Sequence, residues 1–387
     1  MDFGLTQEQE AIKESVSKLC TNFGDDYWLF HDNSGDFPME FYRAMADAGW
    51  LGIAMPEEFG GAGLGVTEAA LMMNEVAYAG AMSAASAIHI NIFGPHAMVV
   101  HGTDEQKARW LPGLIKGEWI SCFGVTEPDV GLDTTRIVTR AEPDGNGYVI
   151  HGRKIWTSTA QDASKILLIA RTTPIEKCDR PIDGVSLFYT DLDRDFCEVR
   201  EIPKMGRKAV DSNTVFIDGL KVPAEDRIGE EGKGFRYLLD SLNPERVLIA
   251  SEGIGIGRSA IDRAARYAGE RIVFGRPIGQ NQAIQHPLAE SWCELEAAWL
   301  TTLQAAWRYD SKLDCGAQAN SAKYLAGEAG FRACERAVMS HGGMGYAKEY
   351  HVERLLREIL ICRIAPVTPH LILSHIAERV LGLPKSY

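Results

Sequence analysis

Four short runs in this chain concentrate residue types that bind and orient a ligand. Phe123-Gly-Val-Thr-Glu-Pro-Asp-Val-Gly-Leu-Asp133 sets a threonine, a proline and two glycines in a turn-rich stretch, where backbone N–H groups approach a ligand closely. Ile155-Trp-Thr-Ser158 follows, with one large aromatic face beside two small hydroxyls at the end of a strand-like stretch. Together they suit a flat, hydrogen-bonding heterocycle with a phosphate tail. In Glu270-Arg-Ile-Val-Phe-Gly-Arg-Pro-Ile278, which leads into Gln280-Asn-Gln282, the arginines offer planar forks that donate in pairs and fit a diphosphate. Ser340-His-Gly-Gly-Met-Gly-Tyr346 breaks a helix and opens its backbone. The last three runs also have plainer readings: a core tryptophan, an exposed helix-end arginine, and glycine-rich helix packing. Gly253-Ile-Gly-Ile-Gly257 lacks the G-x-G-x-x-G spacing and follows no strand, so it is assigned to close helix packing.

The elements that must position these runs fall into three blocks. Apolar spacing predicts helices over 7–23, 38–48, 67–78 and 104–111, with a glycine-rich loop over 55–65. From residue 121 the texture changes to short β-branched or aromatic stretches over 137–141, 148–151, 166–171, 185–189, 197–202 and 214–222. Turn residues separate them, as in a small sandwich or barrel. Beyond Gly234 long periodic segments return over 245–271, 283–309, 320–339 and 352–364. The reading is three domains: 1–120 helical, 121–235 β and 236–387 helical.

Composition narrows the partners. A net charge of −13 argues against nucleic acid and against an anionic membrane surface, both of which call for a basic face. The N-terminal segment has no basic stretch followed by an apolar core, so no signal peptide is expected. Unbroken apolar runs fall short of the ~18 residues of a membrane span. The cysteines at 20, 122, 178, 197, 293, 315, 334 and 362 have neither zinc nor redox spacing and are expected to be free thiols. No metal site is expected, and the compartment is expected to be cytoplasmic.

The first two runs resemble the flavin-binding segments of the acyl-CoA dehydrogenase family, and the helical, sheet and helical blocks follow the family's order over nearly the whole chain. The resemblance implies an α+β fold: an N-terminal helical domain, a middle β-barrel or sandwich, and a C-terminal four-helix bundle. It implies FAD as cofactor. Thr126 would bond the flavin's pyrimidine edge, with backbone contacts from Val125 and Gly131, and Phe123 belongs to the same site. Trp156 would pack on the isoalloxazine and Ser158 would bond its reactive nitrogen. Arg271 and Gln282, with Phe274 nearby, would reach the cofactor of a neighbouring subunit. Gly342 and Gly343 would approach the adenosine half, as would Thr368, which also reads as a helix cap. Two positions depart from the family: Leu132 replaces a serine, and Met339 replaces a glutamine.

The reaction implied removes an α-proton from an acyl thioester and transfers a β-hydride to flavin, which requires a carboxylate base. Many members carry it in a Tyr-Glu-Gly-Thr segment near the C-terminus. Here the match is Ala365-Pro-Val-Thr368, with proline in the glutamate position. Other members place the base on the long helix opening the C-terminal domain, which assigns it to Glu245 in Asn243-Pro-Glu-Arg246. A capping account competes: Asn243 as N-cap, Pro244 as first helical residue and Glu245 as a first-turn acid, which favours the ionised form. By the resemblance, Arg246 matches an arginine near the CoA thioester, and the helix around Ser86 to Phe93 would close the far end of the acyl tunnel, with Phe93 either meeting the substrate there or turning into the helical core, and with His89 where an acid or amide is common.

The activity implied is oxidation of an acyl-CoA to the trans-2-enoyl-CoA in fatty-acid metabolism, with electrons passed to an electron-transfer flavoprotein. The assembly implied is a homo-oligomer, a dimer or a tetramer. The alternatives are a flavin oxidase or eliminating enzyme on the same fold, or a flavin-free acyl-CoA-binding protein.

Overall fold

The computed structural model describes residues 4–386. Residues 1–3 of the N-terminal segment read above lie outside it. The first block is helical: α1 (Gln7–Cys20), α2 (Asp25–Ser34), α3 (Met39–Asp47), α4 (Val66–Phe93), α5 (His96–His101) and α6 (Asp104–Ile115). α1 and α6 each begin on a complete capping box, Thr6 with Gln9 and Thr103 with Gln106, so sequence fixes these starts locally.

α4 extends beyond the expected 67–78 and bends at Ala81, whose backbone is left-handed at φ 57°. The bend frees backbone groups that two residues of a later helix satisfy. Arg354 Nη1 donates to the Gly80 carbonyl at 3.2 Å, and the Glu358 carboxylate accepts from Ser83 N–H at 2.8 Å. Below the bend, Ser86, His89 and Phe93 follow at three- and four-residue spacing and share one helix face.

The β block comprises β1 (Ser121–Gly124), β2 (Arg140–Asp144), β3 (Gly147–Ser158), β4 (Lys165–Arg171), β5 (Val185–Asp191), β6 (Cys197–Glu201), β7 (Ser212–Pro223) and β8 (Arg227–Ile228). Their order is β6-β7-β3-β2-β4-β5-β8, with β1 parallel to β4. β2 and β4 meet only at Arg140 and Arg171, so two strand groups join at a single bridge. Tyr148 and Phe188 pack edge to face between them, with ring centroids 5.1 Å apart. β4 is buried along its whole length. Ile166 and Leu168 face this inner core, whereas Leu167 and Ile169 join Trp110, Leu111 and Leu114 of α6. That two-sided burial explains its unbroken run of aliphatics.

The last block holds α7 (Gly234–Glu270), a hairpin of β9 (Ile272–Val273) and β10 (Arg276–Pro277), and then α8 (Gln282–Asp310), α9 (Gly316–His341), α10 (Val352–Ile364) and α11 (Pro369–Arg379). α7 to α10 pack as the four-helix bundle, and α4 lies against α7. A Cβ on Gly255 would stand 2.3 Å from the Asn74 carbonyl oxygen, so the 253–257 glycines serve helix contact. All eight cysteines are free. Among the described residues no cluster of His, Cys, Asp and Glu has metal-binding geometry.

Two stretches, Val66–His101 and Val352–Arg379, do have the length and apolar composition of a membrane span, contrary to the expectation from unbroken runs. Most of the first is buried inside this fold, and the second is interrupted between α10 and α11.

Candidate active site

The two flavin-like runs meet. β1 carries Phe123, and Thr126 follows it. The Ile155 N–H donates to the Thr126 carbonyl at 2.9 Å. A buried ion pair pins the junction: Lys154 Nζ bonds Glu127 Oε1 at 2.8 Å and the Val125 carbonyl at 3.2 Å. Glu127 also accepts from the backbone of Val138 and Thr139. Burial pushes the Lys154 ammonium down to about 8 against the pull of Glu127. Sequence reading passed over this pair, although Glu127 lies inside the first run and Lys154 immediately precedes the second.

Trp156 is no core residue. The β3–β7 register shifts between Lys154 and Thr157, a bulge that gives Trp156 a left-handed backbone at φ 60° and leaves its side chain 56% exposed. A bulge of this kind re-aims one side chain out of the ladder. Two residues on, Ser158 is 9% exposed and accepts a hydrogen bond from Arg207 Nη2 at 3.0 Å, so its own proton is free to donate elsewhere.

On the other side, α7 presents Glu245 and Glu252 two turns apart on one face. The capping reading of Glu245 is corrected here. α7 starts at Gly234, so Asn243 is not an N-cap, Pro244 lies inside the helix, and Glu245 lies well beyond the first turn. The helix end does not hold it ionised. Burial instead pushes the Glu245 carboxyl up to about 7, although His89 and Arg246 pull it down. The side chain keeps partial access.

Glu252, by contrast, is wholly buried, and its Oε1 lies 2.6 Å from His89 Nδ1. Burial opposes the imidazolium, but Glu252 and Glu245 outweigh it and raise the His89 pKa. Lys323 of α9 donates to the Val367 carbonyl at 2.6 Å, tying down the segment that holds Pro366, and burial lowers its pKa to about 8. Arg246 bonds Asn243 Oδ1 at 3.0 Å, while its buried Nε has no partner. Phe93 is 3% exposed, with its ring 5.6 Å from His89 and 5.8 Å from Phe123.

The remaining expected residues lie at the surface. Arg271 caps α7, Phe274 stands wholly exposed on the β9–β10 hairpin, and Gln282 opens α8. Gly342 has φ 60°, and a Cβ there or on Gly343 would meet open space, as it would on Gly131. Thr368 caps α11, its hydroxyl accepting from Leu371 N–H at 3.4 Å. Among the described residues, the Thr126 hydroxyl, the Trp156 indole N–H, the Arg271 guanidinium and the Gln282 amide make no hydrogen bond to the chain. The exposed Trp156 face and these unspent donors are of the kind that a flavin dinucleotide engages.

Three family models cover the chain: the acyl-CoA dehydrogenase N-terminal domain over residues 6–118, the middle domain over 122–220 and the C-terminal domain over 232–381. The chain belongs to the acyl-CoA dehydrogenase family. It is 34% identical to the acyl-CoA dehydrogenase FadE12 of Mycobacterium tuberculosis, over 99% of this chain and 98% of that protein. The structure of a glutaryl-CoA dehydrogenase–glutaryl-CoA complex matches at TM-score 0.94 and 30% identity, over 100% of this chain and 98% of the other. Butyryl-CoA dehydrogenase of Megasphaera elsdenii matches at 0.94 and 27%, over 98% and 100%. As a member of this family the protein is an oxidoreductase, and its cofactor is FAD.

A carboxyl raised to about 7 predicts a kinetic signature for a reaction that uses it as the base. Only the ionised Glu245 accepts a proton, so the rate of flavin reduction should rise as pH passes from about 6 to about 8, with its midpoint near 7. Stopped-flow rates across that range check this, and a flat profile contradicts the assignment.

Proposed function

We propose that the protein oxidises a saturated acyl-CoA to its trans-2-enoyl-CoA, with Glu245 as the base. The observation that carries this reading is the Glu245 carboxyl, partly accessible and raised to about 7, with Glu252 on the same helix face committed to His89. Of these two acids, only Glu245 is at liberty to take a proton from substrate. The unpartnered Arg246 Nε fits contact near the thioester. FAD, when bound, accepts the β-hydride. Around it, Trp156 would pack on the ring system, Thr126 would bond the pyrimidine edge, and the Ser158 hydroxyl would donate to the reactive nitrogen. Phe123, Val125 and Gly131 would line the same side, and Gly342, Gly343 and Thr368 the adenosine side.

Arg271, Phe274 and Gln282 sit at one end of the bundle, with the phenyl ring wholly exposed. They fit a role on a second copy's cofactor, so the working unit is at least a dimer, with a tetramer as the larger form. Electrons would leave to an electron-transfer flavoprotein. The free thiols suit a reducing, cytoplasmic compartment, and the chemistry suits fatty-acid metabolism. The experiment is a turnover screen of straight, branched and aromatic acyl-CoAs with a dye acceptor, on protein whose flavin absorption band is recorded first. Dye reduction and enoyl-CoA are expected. Peroxide release in air would favour the oxidase, and colourless protein the flavin-free binder.

Phe93 sets the expected chain length. Its ring, packed between His89 and Phe123, fills volume that a longer tail needs, and overpacking a filled pocket costs about 1–3 kcal/mol. Compact acyl groups should therefore be preferred, and Phe93→Ala should move the optimum toward longer ones. A kcat/KM series over chain length decides this, since an unchanged optimum makes Phe93 a core residue only.

A further inference from the structure

A buried ion pair joins α4 to α7 beside Glu245. His89 meets Glu252 at 2.6 Å, and His101 of α5 meets Asp240 at 2.7 Å, so the two segments run antiparallel and the pairs bracket Glu245. The His89 side chain is 6% exposed and that of Glu252 0%. Glu252 Oε2 is buried with no hydrogen-bond partner, which leaves the imidazole as the group that answers this carboxylate by a hydrogen bond. A buried carboxylate needs a cation at that distance, and an imidazole becomes one by taking up a proton. Burial disfavours the imidazolium, and Arg207 opposes it, but Glu252 and Glu245 outweigh both.

The other charged and titratable groups around the pair come from four elements. Arg207, in the β6–β7 connection, bonds Ser86, Ser158 and Ser212 at 3.3, 3.0 and 2.8 Å. Arg246 lies on α7 and Lys323 on α9, while the Cys362 thiol of α10 is pushed well up by burial and stays neutral. His96, inside the bracketed stretch, is pushed down to about 4 by burial and is uncharged at neutral pH. Burial raises the Glu245 carboxyl. Of the charges that oppose this rise, His89 acts most strongly, ahead of Arg246 and Lys323, whereas Glu252 adds to it.

We propose that His89 is a positioning residue for the reaction: paired with Glu252 as the imidazolium, its charge holds Glu245 in the ionised, proton-accepting form at neutral pH. This rests on the reading of Glu245 as the base, through which His89 acts. Without the positive charge the carboxyl binds its proton more tightly, so less of it is ionised below the new midpoint and the rate there falls.

The test is the pH profile of flavin reduction, taken by stopped flow on flavin-loaded protein. The substrate is butyryl-CoA, or the fastest acyl-CoA of the turnover screen if butyryl-CoA is not oxidised. Wild type should have its midpoint near 7. His89→Asn should move the midpoint up by about one pH unit or more, a loss of about tenfold in rate near pH 6 that closes at high pH. His89→Lys keeps a cation and should hold the midpoint within about half a unit of wild type. A packing role alone would change the rate by one factor at every pH. Because His89→Asn strands the Glu252 carboxylate, His89→Gln combined with Glu252→Gln is made beside it. That amide pair keeps a hydrogen bond and removes both charges. Its midpoint should also rise, since His89 outweighs Glu252 at Glu245, and it decides if the single variant does not fold.

An unmoved or lowered midpoint in His89→Asn, or in the double variant where only that one folds, overturns the proposal. So does a midpoint in His89→Lys that rises as far as in His89→Asn. A flat wild-type profile, or bleaching retained by Glu245→Gln, removes Glu245 as base and the role of His89 with it. A wild-type midpoint near 7 and an inactive Glu245→Gln, with no shift in His89→Asn, remove His89 alone.

Discussion

Glu245→Gln is expected to lower the rate of flavin reduction by acyl-CoA by about 10³-fold or more, with FAD still bound. The amide keeps the size and polarity of the side chain and cannot accept a proton at neutral pH. Substrate binding should survive, because the charged groups around the site, Arg246, His89 and Arg207, are untouched. Stopped-flow absorbance of the flavin band on mixing with substrate measures the effect. Near-normal bleaching would remove Glu245 as base and turn attention to Glu252, even though its carboxylate is buried against His89.

The second large effect is expected at the cofactor clamp. Arg271→Lys keeps one positive charge and loses the paired donors, so FAD should dissociate on dilution or gel filtration, with affinity weakened on the order of 10- to 100-fold. Arg271 is exposed at the end of α7 and bonds nothing in its own chain through its guanidinium, so the substitution should leave the folded subunit intact. Flavin content after gel filtration, and the rise in Tm on adding FAD, measure the loss. Full retention with unchanged stability would show that Arg271 does not hold the diphosphate.

Much of this was legible in the sequence because it depends on near neighbours. The glycine-rich and Trp-Thr-Ser runs lie at loop and strand ends, where composition reports conformation directly. The capping boxes at Thr6 and Thr103 fix helix starts within a few residues. The 352–364 helix was read at its observed bounds, since its apolar period has a clear start and stop.

What escaped depends on distant partners. Asn243-Pro-Glu read as a helix start because Asn and Pro favour one. Yet α7 runs through Pro244, and burial against neighbouring helices outweighs the local preference. The reading of α4 stopped at Tyr78, short of its bend, because the residues that stitch that bend, Arg354 and Glu358, lie on α10. The bulge that exposes Trp156 needs the facing strand β7 to define it. Lys154 with Glu127, His89 with Glu252, and Arg207 with its three serines are all contacts across elements. None of these pairings shows in a local window.

The most direct test is anaerobic mixing of the yellow, flavin-loaded protein with acyl-CoA, recording the flavin band and the acyl product together. Expected is loss of the flavin absorbance together with one trans-2-enoyl-CoA formed per flavin, faster as pH rises through about 7. Flavin absorbance that persists with every acyl-CoA offered, or bleaching without enoyl-CoA, would contradict α,β-dehydrogenation at this site.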